Sequence, residues 1–418
     1  MIKKLFFILL VGIPLWGYSQ DMEQVKKNIK TLCSPKFHGR GYVKKGQQKT
    51  ALFIAKKFNS FKLQSFSPNY LQTFSISINT FPSSMKVKTN SKKLVGGVDY
   101  LVVPSSLSIK GKYNLLWMTG KERFNNLLKI EENPSILKKS LLVIDEKTII
   151  NSDYLVKARG LVILKDKELT WSAQPATSIN KSFLLEVKRS ALQPELDKEI
   201  TINVKSKYIP NYPLDNVVAW VKGKSKSNKF LIIGAHYDHL GQMGRKIYFP
   251  GAHDNASGVA MLLSLAEYFS KKEHKPEYSI IFVAFAAEEA GLFGSEYFVS
   301  NLPVEKQEIP LMINLDLLAS GSDGITMIGG IEQNKIFQNF ETINRKNNLL
   351  KKIVPMKNKC NSDQCPFTKA GISAIYLYTR GNEYREYHNI NDKAKDIPLT
   401  AFSGIYQLLI NYLKDPDL

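Results

Sequence analysis

The stretch Phe282-Val-Ala-Phe-Ala-Ala-Glu-Glu-Ala-Gly291 decides how this chain folds. It continues an apolar, β-branched run over residues 279–285, a pattern that predicts a buried strand. The run leads into two adjacent acids, Glu288 and Glu289. Two carboxylates at the mouth of an apolar strand repel each other and are costly to desolvate unless a positive charge lies beside them. Taken alone, the stretch is more typical of a solvated acidic turn. Whether the two acids belong to a functional site therefore depends on the residues at the other strand ends.

Apolar strands and helical patterns alternate through the C-terminal half of the chain. Strands are predicted over residues 216–221, 230–235, 279–285, 309–315 and 373–378. A helical pattern of apolar residues follows Asp254-Asn-Ala-Ser-Gly258. Such alternation favours a mostly parallel or mixed sheet with helices on both faces. We therefore predict an α/β fold with three αβα layers and a mixed central sheet.

Side chains that bind metals follow these strands at their carboxyl ends, where open α/β sheets bind ligands. They are His236 and Asp238, Glu288 and Glu289, Asp316, Asp254 at a helix start, and His388 in the loop after the last strand. Each also has an ordinary structural reading, as a helix cap, a turn residue or a surface histidine. The two imidazoles with three of these five carboxylates suit a pair of divalent ions, zinc first among them. The sequence therefore predicts a two-metal hydrolytic site.

Five segments resemble the motif set of the secreted di-zinc aminopeptidase family. They are Ala235-His-Tyr-Asp-His-Leu-Gly241, Gly251-Ala-His-Asp-Asn-Ala-Ser-Gly258, Ala287-Glu-Glu-Ala-Gly291, Asn314-Leu-Asp316 and Tyr387-His388. This family includes bacterial leucyl aminopeptidases and aminopeptidase Y and, more distantly, glutamate carboxypeptidase and glutaminyl cyclase. The order of the segments matches over residues 216–397, and Phe37-His-Gly-Arg-Gly41 resembles the family's N-terminal segment. The resemblance implies a zinc-peptidase fold.

The resemblance also implies a role for each residue of the cluster. The ligands of two Zn²⁺ ions per chain would be Asp254 as the bridge, His236 and Asp316 at one ion, and Glu289 and His388 at the other. Glu288 would be the general base that moves a proton from the attacking water to the leaving amine. Asp238 would hold the His236 imidazole and fix its tautomer. These roles describe an aminopeptidase that hydrolyses N-terminal residues from peptides.

Two residues depart from the family pattern, and two other functions stay open. His253 stands where an acidic or small polar residue is frequent, and we expect it to face solvent rather than to perturb the metal site. Gln364 stands where His is frequent, at a position that tends to face the substrate, so it bears on specificity. The first alternative is a glutaminyl cyclase, an acyltransferase with a single zinc ion. The second is a non-catalytic binding protein on the same fold.

Composition and cysteine content narrow the class of protein further. A chain of 418 residues that is 44% apolar can bury a full core. Its net charge of +21 comes mostly from scattered Lys, which favours a solvated basic surface over a nucleic-acid partner. Three cysteines form neither a disulfide scaffold nor a CxxC zinc knuckle. Cys360 and Cys365 are spaced to pair across a tight loop, which would leave Cys33 free.

Four segments are expected along the chain. Residues 1–19 have the layout of a secretory signal peptide: two lysines, a short apolar run and small residues at a cleavage position. Residues 20–79 would be the N-terminal helical part of the peptidase domain, and 208–418 its catalytic part. Between them, residues 80–207 would form an inserted β-rich domain that resembles a protease-associated domain in position. We expect an exported protein, periplasmic or extracellular, without a membrane span and with an oligomeric state that the sequence does not reveal.

Overall fold

A computed structural model describes residues 20–172 and 182–415, so the predicted signal peptide at 1–19 lies outside it. The helices are α1 (Met22–Leu32), α2 (Gly46–Ser60), α3 (Glu122–Glu132), α4 (Ser152–Lys157), α5 (Ser257–Ser270), α6 (Phe293–Ser300), α7 (Asn334–Asn347), α8 (Gln364–Lys369) and α9 (Phe402–Leu413). The strands are β1 (Leu71–Thr80), β2 (Lys86–Thr89), β3 (Tyr100–Val102), β4 (Ile109–Trp117), β5 (Ser140–Asp145), β6 (Gly160–Lys165), β7 (Phe183–Lys188), β8 (Glu199–Val204), β9 (Lys207–Val221), β10 (Lys226–His236), β11 (Gln242–Met243), β12 (Ile247–Tyr248), β13 (Tyr278–Phe285), β14 (Leu311–Leu315), β15 (Ile325–Ile328), β16 (Ile353–Met356) and β17 (Ala374–Thr379). Within these two ranges, no helix combines the length and the apolar character needed to cross a bilayer.

Eight strands form one mixed sheet in the order β1-β9-β13-β10-β14-β17-β15-β16. Four adjacent strands in its centre, β13, β10, β14 and β17, run parallel. By contrast, β9 pairs antiparallel with both β1 and β13. Every residue of β13 is buried, which agrees with the unbroken apolar run in its sequence. The predicted α/β fold with a mixed central sheet is confirmed.

Helices cover both faces of this sheet. On β13, Ile280 and Phe282 belong to the hydrophobic cluster that contains residues of α1, α2, α5 and α9. The alternate residues Ile281 and Val283 belong to a second cluster, which contains residues of α6 and α8. Successive side chains of a strand point to opposite faces, so one continuous apolar strand serves two helical layers.

The strands β2 to β8 form a separate sheet of seven strands in the order β2-β8-β4-β5-β6-β7-β3. Here too the central strands β4, β5, β6 and β7 run parallel. Apolar residues of α3 and α4 share a cluster with residues of β4 and β5. We call residues 86–204 the insert because its chain leaves the first sheet after β1 and returns at β9. The predicted domain limits themselves stay a prediction.

The two sheets meet at an apolar joint. Leu240, Met243 and Phe249 belong to the same buried cluster as the core of the insert. Trp171 of the insert stacks on Phe249 with ring centroids 4.8 Å apart. The backbone N–H of Trp171 also donates to the carbonyl oxygen of His388 at 2.8 Å. The insert therefore contacts the loop that carries one of the predicted ligands.

Candidate metal centre

The predicted ligands lie together beyond the carboxyl ends of the parallel strands. His236 is the last residue of β10, and Asp316 directly follows β14. The two acids of the pair follow β13, Asp254 precedes α5, and His388 lies in the loop between β17 and α9. The exposed fraction of the side chain is 15% for His388 and 8% or less for His236, Asp254, Glu289 and Asp316.

Asp254 lies between two groups of side chains. Its Oδ1 is 3.2 Å from His236 Nε2, which is 3.3 Å from Asp316 Oδ1. Its Oδ2 is 2.9 Å from His388 Nε2, which is 3.1 Å from Glu289 Oε2. Each oxygen of Asp254 thus faces a different pair of one imidazole and one carboxylate. The structure brings all five residues together, while their roles as zinc ligands stay a prediction.

The chemistry of this donor set fits divalent metal ions. Among the described residues, the ring nitrogen Nε2 of His388 has no hydrogen-bond partner, although two carboxylate oxygens lie within 3.1 Å. In the same part of the chain, the ion-pair partners of Asp254 and Glu289 are histidines, with no Lys or Arg among them. Buried carboxylates need a positive charge beside them. Metal ions would supply the positive charge that no Lys or Arg side chain provides at these two carboxylates.

Without metal, the carboxylates and imidazoles of the cluster shift each other's pKa values. Burial lowers the pKa of His388, but the carboxylates of Glu289 and Asp254 outweigh burial and raise this pKa to about 11. Burial likewise opposes ionisation of Asp254, yet the His236 and His388 imidazoles beside it hold its pKa well below the usual range. Protonated imidazoles therefore neutralise the carboxylates here, and metal binding would release their protons.

The two adjacent acids differ in their ionisation. Burial raises the pKa of Glu288 well above its usual value; His236 opposes this rise and the Asp363 carboxylate adds to it. For Glu289, burial also favours the neutral acid, but His388 and His239 outweigh it and lower the pKa. A carboxyl group with a raised pKa suits the transfer of a proton near neutral pH, whereas an ionised one suits metal ligation.

Asp238 holds the backbone of the acid pair. Its carboxylate accepts hydrogen bonds from the backbone N–H groups of Glu288 at 3.1 Å and of Glu289 at 3.3 Å. Its Oδ1 lies 3.8 Å from His236 Nδ1, while the carbonyl oxygen of Asp238 lies closer to that nitrogen, at 3.3 Å. The predicted role of Asp238 in fixing the His236 tautomer stays a prediction. Its direct hydrogen bonds support the two glutamates instead.

The cluster contains one more histidine, His239, which the sequence analysis did not predict. Its Nδ1 lies 2.7 Å from Glu289 Oε1 and 3.9 Å from Asp254 Oδ2, and its side chain is fully buried. Together these three residues form a group whose ligand atoms lie within 4.8 Å of one another. A signal was present, since His239 is the second histidine in the segment 235–241. It lies past the strand end, where only Asp238 was considered.

Residues 216–413 match the sequence profile of peptidase family M28. This part of the chain belongs to that family. The match confirms the family resemblance that the motifs of the sequence predict. It covers all five predicted ligands, the acid pair and His239, and it begins after the insert.

Individual relatives agree with this assignment. A probable zinc metalloprotease of Pyrenophora teres f. teres is 36% identical over 117 residues, which are 27% of this chain and 25% of the relative. Aminopeptidase YwaD of Bacillus subtilis is 26% identical over 254 residues, 57% of this chain and 53% of that protein. The chain therefore spans about a quarter to a half of these curated relatives. The structure of BSAP, a zinc aminopeptidase from Bacillus subtilis, has a TM-score of 0.68 at 19% identity over 93% of each chain, which shows a shared fold.

We call the matched residues 216–413 the M28 domain. In this domain, the backbone around Asp254 is held from two sides. The carboxylate of Asp392 accepts from the backbone N–H groups of His253 at 2.8 Å and of Asp254 at 3.1 Å. From the other side, the fully buried Arg40 donates to the carbonyl oxygen of Asp254 at 3.0 Å. Asp392 also belongs to the loop that carries His388. These contacts position Asp254 relative to the other predicted ligands.

The two departures from the family pattern have structural roles. The expectation that His253 faces solvent is wrong, because its ring is half-buried and Nδ1 accepts the backbone N–H of Ala319 at 3.2 Å. Gln364 is fully buried, and its amide donates to the carbonyl oxygen of Lys359 at 2.7 Å. Both side chains therefore hold loops beside the M28 centre.

The expected disulfide between Cys360 and Cys365 is present, and Cys33 is a free, buried thiol. The loop that the disulfide closes reaches the metal cluster. Within it, Ser362 donates from Oγ to Asp316 Oδ2 at 3.0 Å. The disulfide therefore closes a short loop that is hydrogen-bonded directly to a predicted ligand.

Proposed function

We propose that this protein is a zinc-dependent aminopeptidase that binds two Zn²⁺ ions per chain and hydrolyses N-terminal residues from peptides. The observation that carries the proposal is the position of Asp254, shared between two imidazole–carboxylate groups, with Glu288 beside them. Membership of peptidase family M28 and relatives named aminopeptidases support the same conclusion. In this proposal, the ligands are Asp254 for both ions, His236 and Asp316 for one, and Glu289 and His388 for the other.

Bound zinc would supply Lewis acidity, which lowers the pKa of a water molecule and polarises a peptide carbonyl. Glu288 accepts a proton from the attacking water at its carboxylate and later gives this proton to the nitrogen of the leaving amine. Asp238 keeps the Glu288 backbone in place through its hydrogen bond to that N–H.

The test combines metal analysis with a panel of aminoacyl-anilides. We expect two zinc ions per chain, hydrolysis of free aminoacyl-anilides, and loss of this activity after chelation with recovery on added zinc. N-acetylated anilides are the control, because an aminopeptidase requires the free amine. Cleavage of acetylated substrates at equal rates, or activity without metal, would overturn the proposal. One zinc per chain with cyclisation of N-terminal Gln peptides would support the glutaminyl cyclase alternative.

We also propose that the protein is exported to the periplasm or the extracellular space. The signal-like residues 1–19 and the disulfide at Cys360–Cys365 support this, since structural disulfides persist in oxidising compartments. Fractionation of producing cells, with N-terminal sequencing of the product, tests the proposal. A full-length N-terminus in the cytoplasmic fraction would contradict it.

A further inference from the structure

A second concave site lies at the joint between the insert and the M28 domain. It is a pocket with a volume of about 410 Å³. Its apolar lining consists of Met85, Leu94, Val95, Tyr100, Met243 and Ile247. Its cationic side chains are Lys93, Arg245 and Lys246. A cavity of this size, at a domain joint and with polar groups beside an apolar floor, has the features of a ligand-binding pocket.

The charge of this joint pocket is one-sided. Its lining, all within the described residues, contains three cations and no acidic side chain. Lys93, Arg245 and Lys246 are all exposed, and the apolar Val95 of the same lining has an exposed fraction of 55%. A ligand that complements this surface carries an apolar group for the floor and carboxylates for the rim.

The joint pocket borders the loop that carries His388. A Cβ atom built on Gly97 would lie 3.0 Å from Cγ2 of Ile390 and 3.1 Å from Cγ2 of Ile247, which lines the pocket. Ile390 follows His388 by two residues, a distance of at most ~7 Å along the chain. This chain length and the two contacts at the Gly97 position give a span of roughly 13–16 Å between His388 and Ile247, which four or five residues of an extended peptide cover at about 3.3 Å each.

The pocket is fixed in place by contacts between the two parts of the protein. The backbone N–H of Gly244 donates to the carbonyl oxygen of Phe81 at 2.8 Å. The N–H of Val102 in the insert donates to Sδ of Met243 at 3.4 Å. These bonds hold the β11–β12 hairpin against the insert and against Phe81, which precedes the insert in the chain. A ligand would meet a formed pocket, so little ordering opposes its binding.

We propose that the joint pocket binds the downstream part of a peptide substrate whose N-terminus lies at the metal centre. The preferred peptides carry an apolar side chain next to carboxylates, four or five residues from the N-terminus. The insert is then a specificity element that selects acidic peptides. This inference rests on the proposed aminopeptidase function and names a substrate class for it.

The test compares kcat/KM for release of the N-terminal residue from two matched peptides, LAAFEE and LAAFKK. We expect the wild-type enzyme to favour the acidic peptide about tenfold at low salt, because two exposed charge pairs each contribute a few-fold. The preference should shrink as salt is added, since exposed charges are screened. The double variant Arg245→Glu with Lys246→Glu should reverse the preference toward LAAFKK.

A matched control carries the same change of charge elsewhere. Lys335 and Lys346 are exposed residues of α7, a helix that lies outside the pocket. The double variant Lys335→Glu with Lys346→Glu should keep the wild-type preference. An unchanged ratio in the pocket variant, or an equal shift in the control, would overturn the inference.

Hydrolysis of leucyl-anilide separates the two proposals, because this substrate has no downstream residues. Both double variants should hydrolyse it at the wild-type rate. If the wild-type enzyme with zinc releases nothing from leucyl-anilide, the proposed function fails. If leucyl-anilide is hydrolysed normally while the peptide ratio stays the same in the pocket variant, only the role of the pocket is rejected.

Discussion

Two sheets in this molecule present acids at the carboxyl ends of parallel strands, yet only one of them forms a candidate metal centre. In the insert, Asp145 ends β5 and Asp166 follows β6, and both form ion pairs with Arg189 after β7. In the M28 domain, the corresponding acids are buried among histidines. The difference lies in the basic partner: the acids of the insert share an arginine, whereas those at the M28 strand ends have only histidines, which can also bind a metal ion.

The acids of the insert are also much more exposed than those of the M28 domain. The side chain of Asp145 has an exposed fraction of 32% and that of Asp166 of 72%, against 4% for Asp254. Water solvates the acids of the insert, so their ion pairs contribute little to stability. A buried carboxylate without such a partner is much more costly and gains far more from a bound cation. Acids at strand ends therefore indicate a metal site only when they are buried and lack a basic partner.

The largest expected effect is that of Asp254→Ala, compared with Asp166→Ala in the insert. Removing the carboxylate shared by both groups should abolish zinc binding and activity together. The insert variant should keep two zinc ions and wild-type turnover. Zinc content by mass spectrometry and leucyl-anilide hydrolysis measure both. Retention of two zinc ions in Asp254→Ala would show that the acids of the M28 domain do not depend on a bridge.

Glu288→Gln should lower kcat by about 10²–10⁴-fold, the usual contribution of a general base. Its zinc content should stay at two ions, because the proposed role of Glu288 is proton transfer. The matched variant Asp145→Asn also replaces an acid after a parallel strand by an amide, and its kcat should stay within about twofold. Near-normal turnover in Glu288→Gln would remove the proposed base.

Asp392→Asn should weaken zinc binding by about 10–100-fold, the usual effect of losing a residue that orients a ligand. In the wild type, both carboxylate oxygens accept hydrogen bonds from the backbone N–H groups of His253 and Asp254. An amide has only one oxygen, so its NH₂ group would face one of these donors. Competition with a chelator measures the affinity, and saturating zinc should restore most activity. Asp396→Asn, an exposed acid of the same loop, is the control. Equal zinc affinities in both variants would contradict this positioning role.

The smallest expected effect concerns two buried acids in metal-free protein, Asp363 beside the M28 cluster and Asp197 in the insert. Burial, partly offset by His236, raises the pKa of Asp363 to about 7. Its folded pKa lies above the unfolded value, so its stabilising contribution is complete below pH ~4 and is lost as the pH rises through ~7. Asp363→Asn should therefore gain a few degrees in Tm relative to wild type between pH 4 and pH 8.

Asp197 gives the opposite case and serves as the control. Burial alone would raise its pKa, but hydrogen bonds from Thr89, Ser91 and the Gln193 N–H lower it instead. Its contribution is present above its unfolded pKa and is lost only as the pH falls below that value. The difference in Tm between wild type and Asp197→Asn should therefore stay constant from pH 5 to pH 8. A difference for Asp363→Asn that is equally constant would contradict the raised pKa.

Much of the fold was predictable because it depends on local patterns. The apolar runs at residues 230–235 and 279–285 correspond to β10 and β13, and their polar ends mark the site. The strand predicted at 216–221 is only the end of β9, which begins at Lys207. The earlier part of β9 pairs with β1, and most of its side chains are not buried, so its apolar pattern is weak.

The supports of the site were not predictable in the same way. Arg40 and Asp392 bind backbone groups near Asp254, more than a hundred residues away in the chain. Such bonds leave no pattern of residue types, because any residue offers the same N–H and carbonyl groups. Nor does the sequence alone reveal that Asp145 and Asp166 share Arg189 as a partner.

The hydrogen bond from Trp171 to the carbonyl oxygen of His388 means that the M28 domain is not a freestanding module. A shortened enzyme lacking residues 86–204 would lose this bond together with the ring stacked on Phe249. Trimming the protein to a minimal catalyst would therefore loosen the loop that carries His388, a proposed zinc ligand, and exchanging the insert for that of a homologue would change the support of this loop.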